Sequence, residues 1–377
     1  MKLKQLYSSI PAKACALFLC LAGGGSFVFA ADPTPVSALK ILPGFKIDLI
    51  RKAEAGEGSW VCMTIGPRGR IIVSSQEGGL MRLTLSGDGQ VTAAEKLDIP
   101  ITGAQGLLRV DNSLYVSGKG ANGMGLYRLK ASRNDDKFEN LEFLKKFEGS
   151  GEHGPHGLTL GPDGKIYVMN GNHTKVPEGI APHSPHRNYA EDLLLPRQWD
   201  ANGHAVGIMA PGGYVLRTDK DGKEWELFCA GFRNAYDLDF NPEGDLFTYD
   251  SDMEWDWGTP WYRPTRVYLC VSGGEYGWRS GTGKWPKYYP DALPGVLDVG
   301  IGSPTGVKFG TKSNFPYRYK SAFYIADWTY GRILAVHLQK KGSTYSATME
   351  PFVSTEPGKP LNISDIEFGK DGAMYFI

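Results

Sequence analysis

Six times along the chain an alternating apolar and polar run breaks at a tight turn and then resumes. The copies are VCMTIGPRGRIIVSS from Val61, GLLRVDNSLYVSG from Gly106, GLTLGPDGKIYVMNG from Gly157, DLDFNPEGDLFTYDS from Asp237, GVKFGTKSNFPYRYKSAFYIADW from Gly306 and DIEFGKDGAMYFI from Asp365. Period-two alternation on both sides of a Gly-, Pro- or Asp-rich centre predicts a β-hairpin, and the centre supplies the turn dihedrals. Several copies run on into a third strand: GLMRLTL, GMGLYRL, GYVLRT and GRILAVHL. A single such meander is too small to bury its own apolar face. Six of them, about 44 to 80 residues apart, predict an all-β fold, a six-bladed β-propeller. A β-sandwich competes but leaves the repeated strand–turn–strand unit unexplained. The long intervals, Asn170 to Leu216 and Ser251 to Ser303, are expected as insertions on the rim that carries the site. The last copy stops at Ile377 within its second strand, so the sixth blade is expected to be short. GFKIDLIRKA (Gly44 to Ala53) is expected to supply one of its outer strands.

Composition supports this picture. Among 377 residues there are 49 glycines, 24 prolines and 12% aromatics, which suits many tight turns between short strands. There is no heptad pattern and no long amphipathic helical run. The formal net charge is zero, which gives no footprint for nucleic acid or an anionic membrane surface. The first thirty residues differ from the rest. Lys2, Lys4 and Lys13 precede an apolar run and the small-residue site Val28-Phe29-Ala30, the pattern of a cleaved secretory signal. The expectation is therefore a signal peptide over 1–30 and a single propeller domain over 31–377. The protein would be periplasmic or secreted, with no membrane span in the mature chain; a retained N-terminal anchor is the alternative. Export leaves Cys62, Cys229 and Cys270, each in an apolar context that reads as a small buried hydrophobe. No C-x-x-C-H occurs, so this sequence attaches no c-type haem.

Candidate chemistry gathers between the third and fourth repeats, where six of the seven histidines fall. His153 and His156 immediately precede the inner strand of the third repeat, so at least one should face the central channel. His153 is the candidate general base and His156 a candidate contact. Imidazoles bonded to turn carbonyls are the plainer alternative. The H-x-x-H spacing fixes no third metal ligand. His183 and His186 are expected on a surface loop. Arg233 and Asn234 occupy the corresponding place in the fourth repeat, where an arginine can hold a carboxylate or a developing oxyanion; a surface ion pair is its alternative. Asp250, Asp252, Glu254 and Asp256 are spaced by two, which in an extended segment puts four carboxylates on one face. Hard oxygen donors at that density suit Ca²⁺. Trp255 and Trp261 exclude an EF-hand, and a solvated acidic loop beside Arg263 and Arg266 is the alternative.

In this order the features resemble the soluble glucose/sorbosone dehydrogenases, six-bladed propellers that use pyrroloquinoline quinone and calcium. Glu152-His153 falls where that family carries an acidic residue and its catalytic histidine. GFRN (Gly231 to Asn234), NPEGDLFTYDSD and SGGEYGW (Ser272 to Trp278) resemble its further signatures, and Gln105 in AQGLL resembles the glutamine before its GLL strand. EHGPHGLTLGPDG, GFRN, TYDSDMEWD and WYRPTRV are similar, more closely still, to the propeller of membrane-bound dehydrogenases of planctomycetes and verrucomicrobia. The resemblance covers roughly Leu42 to Ile377. It implies His153, Arg233 and Glu152 in catalysis, and Gln105, His156, Asn234 and Arg332 around the quinone. It also implies Ca²⁺ at the acidic run. The late lysine and arginine residues that meet the quinone carboxylates in that family have no match in DWTYGRI and PLNISD, where only Arg332 stands nearby.

The expected activity is quinone-dependent oxidation of a sugar or related alcohol, with a cytochrome c as a possible electron acceptor. Two alternatives belong to other classes: a metal-dependent hydrolase of the propeller lactonase type, and a non-catalytic propeller that binds carbohydrate or a partner.

Overall fold

The hairpin turns form where the Pro-Asp-Gly signals place them. In the computed structural model Gly164 adopts φ +75°, a left-handed conformation natural to glycine. Beside it Asp163 accepts the Lys165 amide at 3.1 Å and the Tyr167 hydroxyl at 3.0 Å. The structure describes residues 34–131, 133, 136–149, 151–187, 189, 205–251, 262–280 and 292–377. The expected signal peptide over 1–30 lies outside them.

A short strand β1 (Leu39–Ile41) precedes the first blade, formed by β2 (Trp60–Ile65), β3 (Ile71–Ser75), β4 (Leu80–Leu85) and β5 (Val91–Lys96). The second blade contains β6 (Thr102–Val110), β7 (Ser113–Gly120), β8 (Gly123–Ala131) and β9 (Phe138–Lys146). The third contains β10 (Pro155–Leu160), β11 (Ile166–Asn170), β12 (Gly213–Thr218) and β13 (Trp225–Phe232). The fourth contains β14 (Leu238–Phe240), β15 (Leu246–Asp250), β16 (Thr265–Cys270) and β17 (Leu297–Gly300). The fifth contains β18 (Pro304–Phe309), β19 (Phe323–Asp327), β20 (Arg332–Lys341) and β21 (Thr344–Thr355). The sixth sheet has two strands, β22 (Ile366–Phe368) and β23 (Met374–Phe376). All pairings between named strands are antiparallel, as consecutive meanders require.

The six innermost strands, β2, β6, β10, β14, β18 and β22, touch in that order, and β22 returns to β2. Their approach is close enough to require glycine at one repeated position. A Cβ on Gly106 would lie 2.2 Å from the His156 carbonyl oxygen, and one on Gly157 would lie 2.3 Å from Asp237 Oδ1. Gly306 meets the fifth-to-sixth seam in the same way, 2.5 Å from Asp365 Cα. Across these seams the Gly157 amide donates to the Tyr236 carbonyl and the Gly306 amide to the Ser364 carbonyl, each at 2.9 Å.

Hydrophobic layers fill the wedges between blades. Tyr115 and Leu126 pack against Val168 and Tyr214 between blades two and three, and Val215 and Cys229 against Leu246 and Cys270 between blades three and four. Each fully buried aliphatic or aromatic side chain contributes roughly 1.5–3 kcal/mol relative to exposure. Cys62, Cys229 and Cys270 are reduced and buried, as their apolar contexts suggest.

One expected element is corrected. Residues 44–53 form no strand. An outermost strand pairs with a third strand, and the sixth sheet here consists of β22 and β23 alone. β1 instead extends the fifth blade through Leu39 opposite Thr355 and Ile41 opposite Val353. Phe45 and Ile47 still reach the sixth sheet as side chains, packing with Phe352, Ile366 and Phe368.

Candidate active site

At one end of the inner strands an open cavity of about 740 Å³ gathers side chains from all around the ring. Gln105, Glu152, His153, Arg233 and Asn234, all singled out in the sequence, line it together. They converge because Glu152, His153, Arg233 and Asn234 lie within five residues before an inner strand and Gln105 lies in the first half of one, and the inner strands surround one axis.

His153 is 3% exposed, and its Nδ1 lies 2.6 Å from Asn172 Oδ1. An amide oxygen accepts only, so in this arrangement Nδ1 donates to it and Nε2 is the ring nitrogen left to exchange a proton. That Nε2 is 3.6 Å from Glu152 Oε1, whose side chain is 89% exposed. The ring stacks on His173 with centroids 4.6 Å apart. Burial, and then the neighbouring Arg233 guanidinium, hold the His173 imidazole below its ordinary value. A neutral His173 can lie against His153 without opposing a charge that develops there.

Arg233 and Asn234 are set by one carboxylate. Asp250 Oδ2 accepts the Arg233 amide at 2.9 Å and Oδ1 the Asn234 amide at 2.8 Å. Arg233 Nη1 donates to Ser251 Oγ at 3.0 Å, and Asn234 Nδ2 donates to the Glu152 carbonyl at 3.0 Å. Burial pushes the Asp250 carboxyl up to about 6 against the pull of these amides. Asp250 is thus the clamp that aims two cavity residues. It is the only one of the four candidate calcium ligands within the described residues; Asp252, Glu254 and Asp256 lie outside them. Among the described residues no group of three or more His, Cys, Asp or Glu side chains is arranged to hold a metal.

Gln105 forms the floor with Tyr236, whose hydroxyl lies 2.7 Å from Gln105 Oε1 and 3.0 Å from the Val61 carbonyl.

Three other expected positions fall elsewhere. His156 is fully buried, with Nδ1 3.1 Å from the Ala235 carbonyl and Nε2 3.0 Å from the Glu152 carbonyl. Burial lowers it to about 4 despite those carbonyls. Its ring braces the seam between blades and does not line the cavity, which is the plainer of its two sequence readings. Arg332 also stands off the cavity: its Nε donates to buried Asp327 at 2.9 Å, and its guanidinium covers Tyr330. His186, expected on a surface loop, is 5% exposed with Nε2 3.1 Å from Glu275 Oε2, whereas His183 is exposed.

Several lining residues carry no signal in the sequence: Lys119, Trp328, Tyr236, Ser303 and Thr305. Each comes from a strand end or turn without a motif, so its address depends on the closed ring. Asn172 follows β11 closely enough for a strand-end argument, but nothing in its sequence context pairs it with His153.

The cavity volume falls in the range of small-molecule and cofactor sites, about 300–1,000 Å³. Asn234 Oδ1 is buried without a hydrogen-bond partner, an acceptor that a bound donor would satisfy. The Gln105 amide nitrogen and the Arg233 guanidinium add donors, and the mixed set fits a polar ligand with both acceptor and donor groups, such as a carboxylated quinone. Among the described residues no helix is long and apolar enough to cross a membrane.

No protein-family model and no curated protein matches the sequence. Solved structures do match the fold. An oxidoreductase (glucose dehydrogenase) from Thermus thermophilus is similar at 18% identity and TM-score 0.60, over 85% of this chain and 91% of that one. The quinone-bound aldose sugar dehydrogenase of Streptomyces coelicolor matches at 15% identity and TM-score 0.58, over 87% and 88%. The calcium structure of a Trichoderma reesei carbohydrate-active enzyme of family AA12 matches at 14% identity and TM-score 0.64, over 90% and 94%. At these identities the likeness shows a shared all-β propeller fold.

Proposed function

We propose that this chain is a quinone-dependent dehydrogenase that oxidises a sugar or related alcohol outside the cytoplasm. The observation that carries the reading is the placement of His153 at an open polar cavity, with Nδ1 2.6 Å from Asn172 Oδ1 and Nε2 3.6 Å from Glu152 Oε1. Further support comes from the sugar dehydrogenases among the fold neighbours, one of which binds pyrroloquinoline quinone.

His153 Nε2 takes the proton of the substrate hydroxyl, and the Glu152 carboxylate stabilises the imidazolium that results. Asn172 keeps the ring in the orientation the transfer needs. The Arg233 guanidinium stabilises negative charge that develops in the cavity, and Asp250 keeps its backbone in place. Gln105 and Asn234 would orient the quinone with Arg233. When bound, the quinone supplies the two-electron oxidant that receives hydride from the alcohol carbon. The acidic run from Asp250 to Asp256 is the sequence's candidate for calcium, and no step depends on it.

The test is reconstitution of the purified chain with pyrroloquinoline quinone, with and without Ca²⁺. Dye reduction is followed across a panel of aldoses and polyols. Quinone-dependent reduction supports the reading; lactone hydrolysis without quinone, or sugar binding without turnover, overturns it.

A further inference from the structure

The cavity does not end at the axis. On the second blade Thr102, Lys119 and Met124 form one rung across three strands, Lys119 lying opposite Thr102 on β6 and opposite Met124 on β8. All three line the cavity, so it extends outward over the end of this blade. Lys119 is exposed, one strand out from the innermost, and among the described residues its side chain makes no ion pair or hydrogen bond. Glu77 and Glu152 share the cavity, yet neither is within ion-pair distance of it. Buried Arg233 supplies a second cation from between blades three and four. An ammonium on a cavity wall with no acid beside it among the described residues favours an anionic ligand group.

We propose that Lys119 is a carboxylate-binding residue at the outer end of this cavity, and that the ligand spans from His153 at the axis to Lys119 on the second blade. Two ligands present this chemistry. One is the quinone, in which case the assignment rests on the dehydrogenase reading; the other is a sugar acid, in which case it stands without it. A point-charge contact near solvent predicts an affinity that falls with added salt. Loss of one charged hydrogen bond weakens binding by roughly tenfold.

The experiment measures equilibrium binding to the full chain by tryptophan fluorescence and calorimetry, with no turnover required. The wild type, Lys119→Gln and Lys119→Arg are titrated with pyrroloquinoline quinone and, separately, with glucuronate and glucose. Circular dichroism checks that each variant is folded. A roughly tenfold higher Kd for quinone in Lys119→Gln, recovered in Lys119→Arg, assigns the contact to the quinone. The same pattern for glucuronate and not for glucose assigns it to the substrate. Equal Kd values in the wild type and Lys119→Gln for both anions overturn the proposal while leaving the dehydrogenase reading intact. A wild-type chain that binds no quinone removes that reading, and the glucuronate arm then decides Lys119 alone. If neither anion binds the wild type, both fall.

Discussion

Two clusters of ionisable groups lie on the propeller axis, and Tyr236 and Gln105 line both. On one side is the open cavity of about 740 Å³ with His153, Arg233 and Lys119. On the other is a void of about 10 Å³, room for a single water, lined by Asp237, Asp365, Lys308 and Glu367. Both hold acids and bases, but they are put to opposite uses. In the closed cluster the groups are spent on the fold: Asp365 accepts the Met63 amide at 2.6 Å, Asp237 the Val307 amide at 3.1 Å, and Asp239 the Phe309 amide at 2.8 Å. Each of these bonds ties neighbouring blades together. In the open cluster the backbone has already been satisfied by Asp250, and the side chains turn toward the cavity. Perturbed acids alone therefore do not mark the site; access and unspent polar atoms do.

The largest effect should come from the open side. His153→Ala is expected to lower quinone-dependent turnover by roughly 10²- to 10⁴-fold, read from dye reduction on a protein whose circular dichroism is unchanged. The comparison breaks if Asp237→Asn costs as much turnover.

Asp237→Asn should act on stability. Burial pushes Asp237 up to about 7 from an ordinary 3.8; Lys308 and the Val307 and Leu238 amides pull it back, and Asp239 adds to the rise. Around it, Asp365 is pushed well up by burial and by Asp237 itself, and burial also raises Tyr236 and Cys62. Burial works against the Lys308 charge, but Glu367, Asp239 and Asp237 push it well up. A raised acid binds a proton in the folded state that the unfolded chain releases. Its contribution is thus fully present below about pH 4 and is lost as pH rises through about 7, on the order of a few kcal/mol. The wild-type Tm should fall relative to that of Asp237→Asn between pH 4 and pH 8. Parallel Tm curves would show that Asp237 is ionised throughout.

The hairpins were legible because period-two alternation and turn residues are local signals; five begin within two residues of the expected position, and the second begins four residues earlier, at Thr102. The outer strands were not. β5 reads VTAAEK and is almost wholly exposed, so its two faces carry no contrast to read. The cavity was half legible. Glu152, His153, Arg233 and Asn234 sit at fixed offsets from inner strands, and that offset alone directs them to the axis. Lys119 belongs to the far end of a second strand, where only the register with Thr102 and Met124 reveals its direction. His156 misled because spacing cannot distinguish a ring aimed at the channel from one held between two carbonyls.

Gly157→Ala sharpens the comparison at the seam beneath both clusters. The added methyl would sit 2.3 Å from Asp237 Oδ1 and 3.0 Å from the Tyr236 carbonyl oxygen, so backbone as well as side chain must shift. Overpacking of this kind costs about 1–3 kcal/mol. A Tm lower by several degrees is expected in calorimetry. The pH dependence should weaken with it, because the shift loosens the packing that keeps Asp237 dry. An unchanged Tm would mean that the inner strands tolerate a wider axis than the distances indicate.

The smallest change tests the partition itself. Tyr236→Phe removes one hydroxyl that bonds Gln105 or Val61 and leaves the ring packed, tilted, against His156. A single neutral hydrogen bond contributes about 1 kcal/mol, so Tm should fall by only a few degrees. Turnover at saturating substrate should drop less than tenfold, since Gln105 orients ligand and carries no proton in the proposed transfer. The pH profile of Tm should keep its shape, because the hydroxyl contributes no hydrogen bond to Asp237 or Asp365. If turnover instead fell as far as in His153→Ala, protons would be passing through Tyr236, and the two clusters would be one relay divided only by a hydroxyl.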